Sequence, residues 1–316
     1  MTMTFDPQSH GLRYASEYPP HGFSNHLPMA WQALGALGAD GARREAFVAA
    51  YLPRLQRLPE DAEEHRRVSR LLAEIRDTDV ATVVRRYLPG LISGWYREAY
   101  HPLIRLAYGI EFAVVGEVAA ALAYLQAAGP CPRLAELAQA ARPRSGAGGL
   151  DLLRQAEGWH PDLGADAGFG VRAAGVLAQP EMARMTWTLE HNVAAVSRAA
   201  LDAFAATHDF FALHLLTGSH AFRLVRPYLD LPGPVADAML NLGLLAGYVV
   251  IGAPPVPRFE PPAGAARPDR RKLLAWCRDD EHDLKVAYSA SAQAEHWQDA
   301  AYAIAAAEYL RAVGSG

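Results

Sequence analysis

The chain has 316 residues, half of them apolar and a fifth charged, with a formal net charge of −4. That length allows a sizeable core, and that charge gives no reason to expect nucleic acid or an anionic membrane as the main partner. Cys131 and Cys277 are the only cysteines; they form neither a CxxC pair nor a disulfide framework, so a reducing cytoplasm is the default.

The opening residues, MTMTFDPQSHGLRYASEYPP, lack a basic stretch followed by an apolar one, and no secretory signal is expected. HLPMAWQALGALGA repeats apolar residues at three and four and stops at glycine, which predicts a helix. EDAEEHRRVSRLLAEIRD is acidic first and basic later, as the helix dipole favours. Residues 111–127, 183–206, 208–230 and 295–312 also read as helices, with breaks at 141–149 and across the Pro-rich 252–270. GFGVRA (168–173) has the letters of a dinucleotide-binding turn but no buried strand before it, so it reads as a chance match. MLNLGLLAGYVVIGAPPVP is interrupted by Asn241, Gly243 and Gly247 and is too short for a membrane span. The expectation is a single all-α helical bundle over 1–316, with a division into two lobes allowed near 141–149.

Among 30 cationic residues only Lys272 and Lys285 are lysines. Lys272 lies in an exposed basic string, whereas Lys285 follows His282 by three positions on a predicted helix, so both can point at one site. Spacing alone favours an ion pair between Lys285 and Glu281, four residues earlier. A buried lysine instead sheds its proton, and a neutral amine can take up carbon dioxide as a carbamate, which a guanidinium cannot. Of the twelve histidines, His65 reads as a solvated face residue and His10, His21 and His160 as loop residues. His296 reads as the start of the last helix. His26, His101, His214 and His282, with His220 as a fifth candidate, lie in apolar helical stretches. Each alone is most simply a core histidine with one hydrogen bond; together they could converge as a metal site between helices.

Four stretches, NHLPMAWQALGALGAD, YHPLIRLAYGIEF, DFFALHLLTGSHAFRL and DDEHDLKVAYSA, resemble the questin oxidase-like family in order and separation, from residue 25 to about 310. The resemblance implies a non-haem iron oxygenase that uses dioxygen to open anthraquinone-type rings of aromatic polyketides, in Baeyer–Villiger-like fashion. The family's four histidines and carboxylated lysine carry over to His26, His101, His214, His282 and Lys285. His220 is the alternative to His214. Arg105 stands where many relatives have a second histidine, and would act behind the ligands or on the substrate. Glu111 and His220 would orient the ligand imidazoles, Thr217 and Ser219 would hydrogen-bond the substrate, and Trp31, Tyr108, Phe112, Phe210 and Phe211 would line an aromatic cavity. The implied cofactor is Fe(II) with dioxygen as co-substrate; NADPH, if drawn on, has no dedicated motif. A small aromatic substrate is the expected partner, with no nucleic acid or membrane. Two other readings stay open: a metal-dependent hydrolase, which would need Asp ligands such as Asp279 or Asp283, and a helical ligand-binding scaffold, in which the histidines would be scattered.

Overall fold

The computed structural model describes residues 5–19, 23–164, 167–185, 187–189 and 192–314; His21 lies outside them. They form an all-α bundle of sixteen α-helices, with two minimal strand pairs among the described residues. Glu17–Tyr18 pairs with Phe23–Ser24, and Arg142–Arg144, inside the 141–149 break, with Trp187–Leu189. One hydrophobic cluster runs from Leu27 to Leu310 and joins helices from both ends of the chain.

Local chemistry sets the helix ends. HLPMAWQALGALGA becomes the helix Leu27–Leu37, with Pro28 in the first turn, where no N–H is needed. Gly38 closes it at φ 95°, a left-handed conformation that glycine takes without strain. The acidic-then-basic stretch is the helix Glu63–Asp77, whose buried face is Val68, Leu71 and Ile75.

Three expected boundaries need correction. The helix placed at 111–127 begins at Val115, because the helix His101–Glu111 first turns through Ala113 at φ 53°. These two helices cross closely at Gly109, where a Cβ would sit 2.9 Å from the Val118 nitrogen. The 183–206 helix starts only at Asn192, after the strand Trp187–Leu189. Residues 295–312 combine the end of Glu281–Trp297 with most of Ala301–Gly314, and Gln298 at φ 54° makes the break. His296 therefore ends a helix. His10 likewise belongs to a short helix, Pro7–Arg13, and is buried against the Asn25 amide at 2.9 Å.

The helix Gly233–Val250 is the one helix among the described residues long and apolar enough to cross a membrane, and 78% of it is buried inside the protein. Its glycines, which interrupt the apolar run, have a packing role: side chains at Gly243 and Gly247 would collide with Trp95 and Tyr100. Residues 252–269 contain no helix or strand. Asp202 holds this segment to the bundle by accepting from the Phe259 N–H at 3.1 Å and from Arg258 at 3.2 Å. GFGVRA opens the helix Phe169–Ala178, and the residues described just before it, 155–164, include no strand.

Candidate metal centre and adjoining cavity

Four helices deliver one histidine each. His26 immediately precedes Leu27–Leu37, His101 opens His101–Glu111, His214 lies one turn into Phe210–Val225, and His282 is the second residue of Glu281–Trp297. Asp209 fixes the third helix by accepting from the N–H groups of Phe211 and Ala212. Asp280 does the same for His282 and Asp283; such caps are worth about 1 kcal/mol each. Before His101 the chain runs through three successive non-glycine residues at positive φ: Glu98, Ala99 and Tyr100, at 49°, 50° and 67°. This strained run is held by the Tyr100 hydroxyl, which donates to the Gly243 carbonyl at 3.0 Å, and such strain concentrates at functional sites.

The histidines converge. Their ligating atoms lie within 4.8 Å of one another. The His101 Nε2 is 2.7 Å from His26 Nε2 and 3.0 Å from His214 Nε2. The outward nitrogens are engaged: His214 Nδ1 donates to the Phe210 carbonyl at 2.8 Å, and the His101 ring to the Glu98 backbone. In His214 the Nδ1 proton is committed to the Phe210 carbonyl, so its Nε2 presents a lone pair toward His101 Nε2 3.0 Å away. Beside them, His282 Nε2 and Lys285 Nζ are buried with no hydrogen-bond partner. Buried nitrogens left without a partner are costly, and a cation between them satisfies those that present a lone pair. The residues therefore fit a metal ion.

Burial holds His26, His101 and His214 well below the ordinary imidazole pKa, reinforced by the Lys285 charge and by one another. Burial and Lys285 also lower His282, against the pull of Asp280. All four are thus in the neutral form that binds metals at pH 7. Lys285 is fully buried, and burial takes its amine down to about 7, opposed by Glu281 and Asp280. The helix ion pair with Glu281 is not formed. Glu281 instead takes Arg54, at 3.2 and 3.4 Å, and the Tyr51 hydroxyl at 3.5 Å. The same carboxylate and hydroxyl stand 3.9 and 3.5 Å from His26 Nδ1, so this pair orients that ring.

Other expected site residues lie elsewhere. His220 and Glu111 face each other at 3.7 Å, and Arg223 contacts His220 Nδ1 at 3.3 Å; they do not orient the converging imidazoles. Arg105 is buried in an ion pair with Glu117 at 2.6 Å and bonds Ser16 at 3.0 Å, so it braces the packing of helices rather than meeting substrate. Thr217 and Ser219 bond carbonyls of their own helix. Asp283 is tied to Arg278 at 2.8 Å, and Asp279 pairs with Arg43 at 3.4 Å. Asp280 comes within 3.4 Å of His282 but on Nδ1, the side away from the centre. The four-histidine cluster itself contains no Asp, although Asp280, Glu281 and His282 form a second group close enough to hold a cation; convergence contradicts the scattered histidines of the scaffold.

A cavity of about 570 Å³ opens onto His26, His101 and His282. Its aromatic walls are Phe210 and Phe211, as expected, with Tyr18, Phe23 and Phe169 in addition. Trp31 instead stacks under Arg44 at 3.5 Å, and Tyr108 and Phe112 pack around Tyr288; Tyr108 is a core residue, and the other two are partly buried against the core. Arg54, Glu98, Asp280 and Glu281 supply the charged part of the wall. Only the acidic string beside His282 hinted at these in the sequence; nothing in the periodicity singled out Arg54 or Phe169.

Fold and site define a helical protein with a buried, histidine-rich, metal-type centre at the base of an aromatic cavity. A family model, Questin oxidase-like, matches residues 72–290, well over half of the chain, and the chain belongs to that family. Membership implies an oxidoreductase. His101, His214, His282 and Lys285 fall within the matched residues, whereas His26 lies before them and joins the centre by geometry. A search of curated proteins finds no match.

Proposed function

We propose that the protein is a non-haem iron-dependent oxygenase acting on a hydroxylated aromatic polyketide of the anthraquinone type, by oxygen insertion or ring opening. The observation that carries the reading is the set of converging imidazole nitrogens beside the unpartnered Lys285 amine, opening onto an aromatic cavity. His26, His101, His214, His282 and Lys285 would hold the iron, which when bound supplies the activation of dioxygen that organic side chains lack.

Three of the histidines sit at helix N-termini, whose positive ends disfavour a cation. Four neutral imidazoles bring no charge to offset this. Lys285 is suited to supply it: its neutral amine attacks the carbon of carbon dioxide and releases one proton, leaving an anionic carbamate oxygen at the centre. Glu281, held by Arg54 and Tyr51, adds a negative charge behind His26. Phe210 and Phe211 wall the cavity beside the histidines, where a flat ring stacks and water is displaced.

Elemental analysis of the purified protein tests the reading. About one iron per chain, lost in Lys285→Ala and His282→Ala, with oxygen uptake on adding a hydroxylated anthraquinone or its hydroquinone, is the expected result. Zinc in place of iron, or a metal-free protein after expression in ample iron, would overturn it.

A further inference from the structure

Three large apolar side chains are markedly exposed among the described residues: Phe23 at 51%, Val171 at 67% and Phe210 at 51%. They come from a strand near the start, the opening of one helix and the opening of another. All three line the same cavity, the one that reaches His26, His101 and His282. Scattered exposed apolar residues need no explanation, but a set gathered at one opening marks a binding surface.

Each is placed by specific local structure. Phe23 is paired through its strand with Tyr18, whose ring lies 6.0 Å away. Val171 follows Gly170, where the helix meets the strained turn before His101: a Cβ at Gly170 would stand 3.3 Å from the Glu98 nitrogen. Gly170 of GFGV, a stretch that resembles a nucleotide-binding turn only in letters, thus lets the chain approach the cavity edge and sets Val171 upon it. Phe210 packs one part of its ring on His282 and His214, at 4.8 and 5.1 Å, and leaves the remainder open.

We propose that Phe23, Val171 and Phe210 are a specificity-determining rim, gripping the outer ring of a fused polycyclic substrate whose inner ring lies near the histidines. This rests on the reading of the cavity as a substrate site. The occupant is argued from continuity: the rim merges with the stacked aromatic wall of Phe211 and Phe169, 4.8 Å apart. A cavity of about 570 Å³ is also of the size that encloses a multi-ring ligand. A single-ring phenol at the floor meets Phe210 alone of the three, so Phe23 and Val171 discriminate by ring count.

The test is equilibrium binding to the full chain, followed by absorbance or fluorescence, with 1,8-dihydroxyanthraquinone as the three-ring probe and hydroquinone as the single-ring probe. Phe23→Ser and Val171→Ser, singly and together, are solvent-facing changes remote from the core. The double variant is expected to weaken three-ring binding about tenfold, as loss of two apolar contacts does, and to leave hydroquinone binding within twofold. Phe210→Leu, which keeps an apolar contact, is expected to retain more three-ring affinity than Phe210→Ser. Equal losses for both probes, or no loss for either, would overturn the proposal. So would a concentration-dependent dimer in sedimentation that the double variant abolishes with probe binding unchanged, because the rim would then be an interface between copies. Neither probe requires oxygen turnover: selective binding by a protein that takes up no iron when iron is ample would keep the rim and discard the oxygenase.

Discussion

Replacing Lys285 with methionine isolates what burial of this amine does to the protein. The side chain is fully buried and its pKa falls to about 7, whereas in an unfolded chain it is about 10.4. Because the folded value is the lower one, the unfolded state binds more protons between them, and wild-type stability rises with pH across that window. Linkage puts the cost to the metal-free native state at about 4 kcal/mol at pH 7 and under about 1 kcal/mol at pH 10. Methionine has similar reach and no proton to lose. Metal-free Lys285→Met is therefore expected to be more stable than wild type by up to about 4 kcal/mol at pH 7, with the gain fading by pH 10. Urea unfolding of chelator-treated proteins at both pH values reads this directly. On the proposed function iron should reverse the order, since it would bind only the native wild type well and add its binding free energy to folding. A variant that is less stable than metal-free wild type at pH 7, or a difference independent of pH, would refute the reasoning.

Three further outcomes are expected. His214→Ala should lose bound iron while His220→Ala keeps it, because only the former belongs to the converging set; elemental analysis of the two variants decides. Arg105→Ala should cost about 3–5 kcal/mol, as breaking a buried pair does, with the iron content of the folded fraction unchanged. Unaltered stability with a raised KM would restore a substrate role to Arg105. Metal-free protein should lose stability steeply as pH falls below 6.5. His26, His101 and His214, held well below the ordinary imidazole value, stay neutral when folded but each takes a proton when unfolded, giving a limiting slope of about 4 kcal/mol per pH unit. A flat urea midpoint between pH 7 and pH 5 would contradict their burial as neutral rings.

Much of this was legible in the sequence, for reasons that differ by feature. Helical periodicity and Gly38 gave one helix at the right place, because apolar spacing and a left-handed cap act locally. The boundaries that failed, at Ala113 and Gln298, are set by positive-φ turns in non-glycine residues, which leave no compositional mark. The converging histidines followed from their apolar helical settings together with the family motifs. Arg105 and Glu111 were misplaced because a helical residue's heading depends on its neighbours: Glu117 and His220 capture them, and both partners lie on other helices. The salt bridge expected within the last motif likewise lost to Arg54, more than two hundred positions away in sequence. The exposed rim was invisible for the same reason, since exposure of Phe210 depends on what fails to cover it.

The spread of the site along the chain has a kinetic consequence. His26 and His101 are 75 positions apart, His101 and His214 are 113 apart, and His282 follows on a still later helix. Contacts this distant in sequence require long loops to close before they form, whereas local helix pairs do not. A cation held by all of them would gain its full coordination only in the native state. It would then slow unfolding and leave the rate of folding almost unchanged. On the proposed function, the centre would be a latch set after assembly.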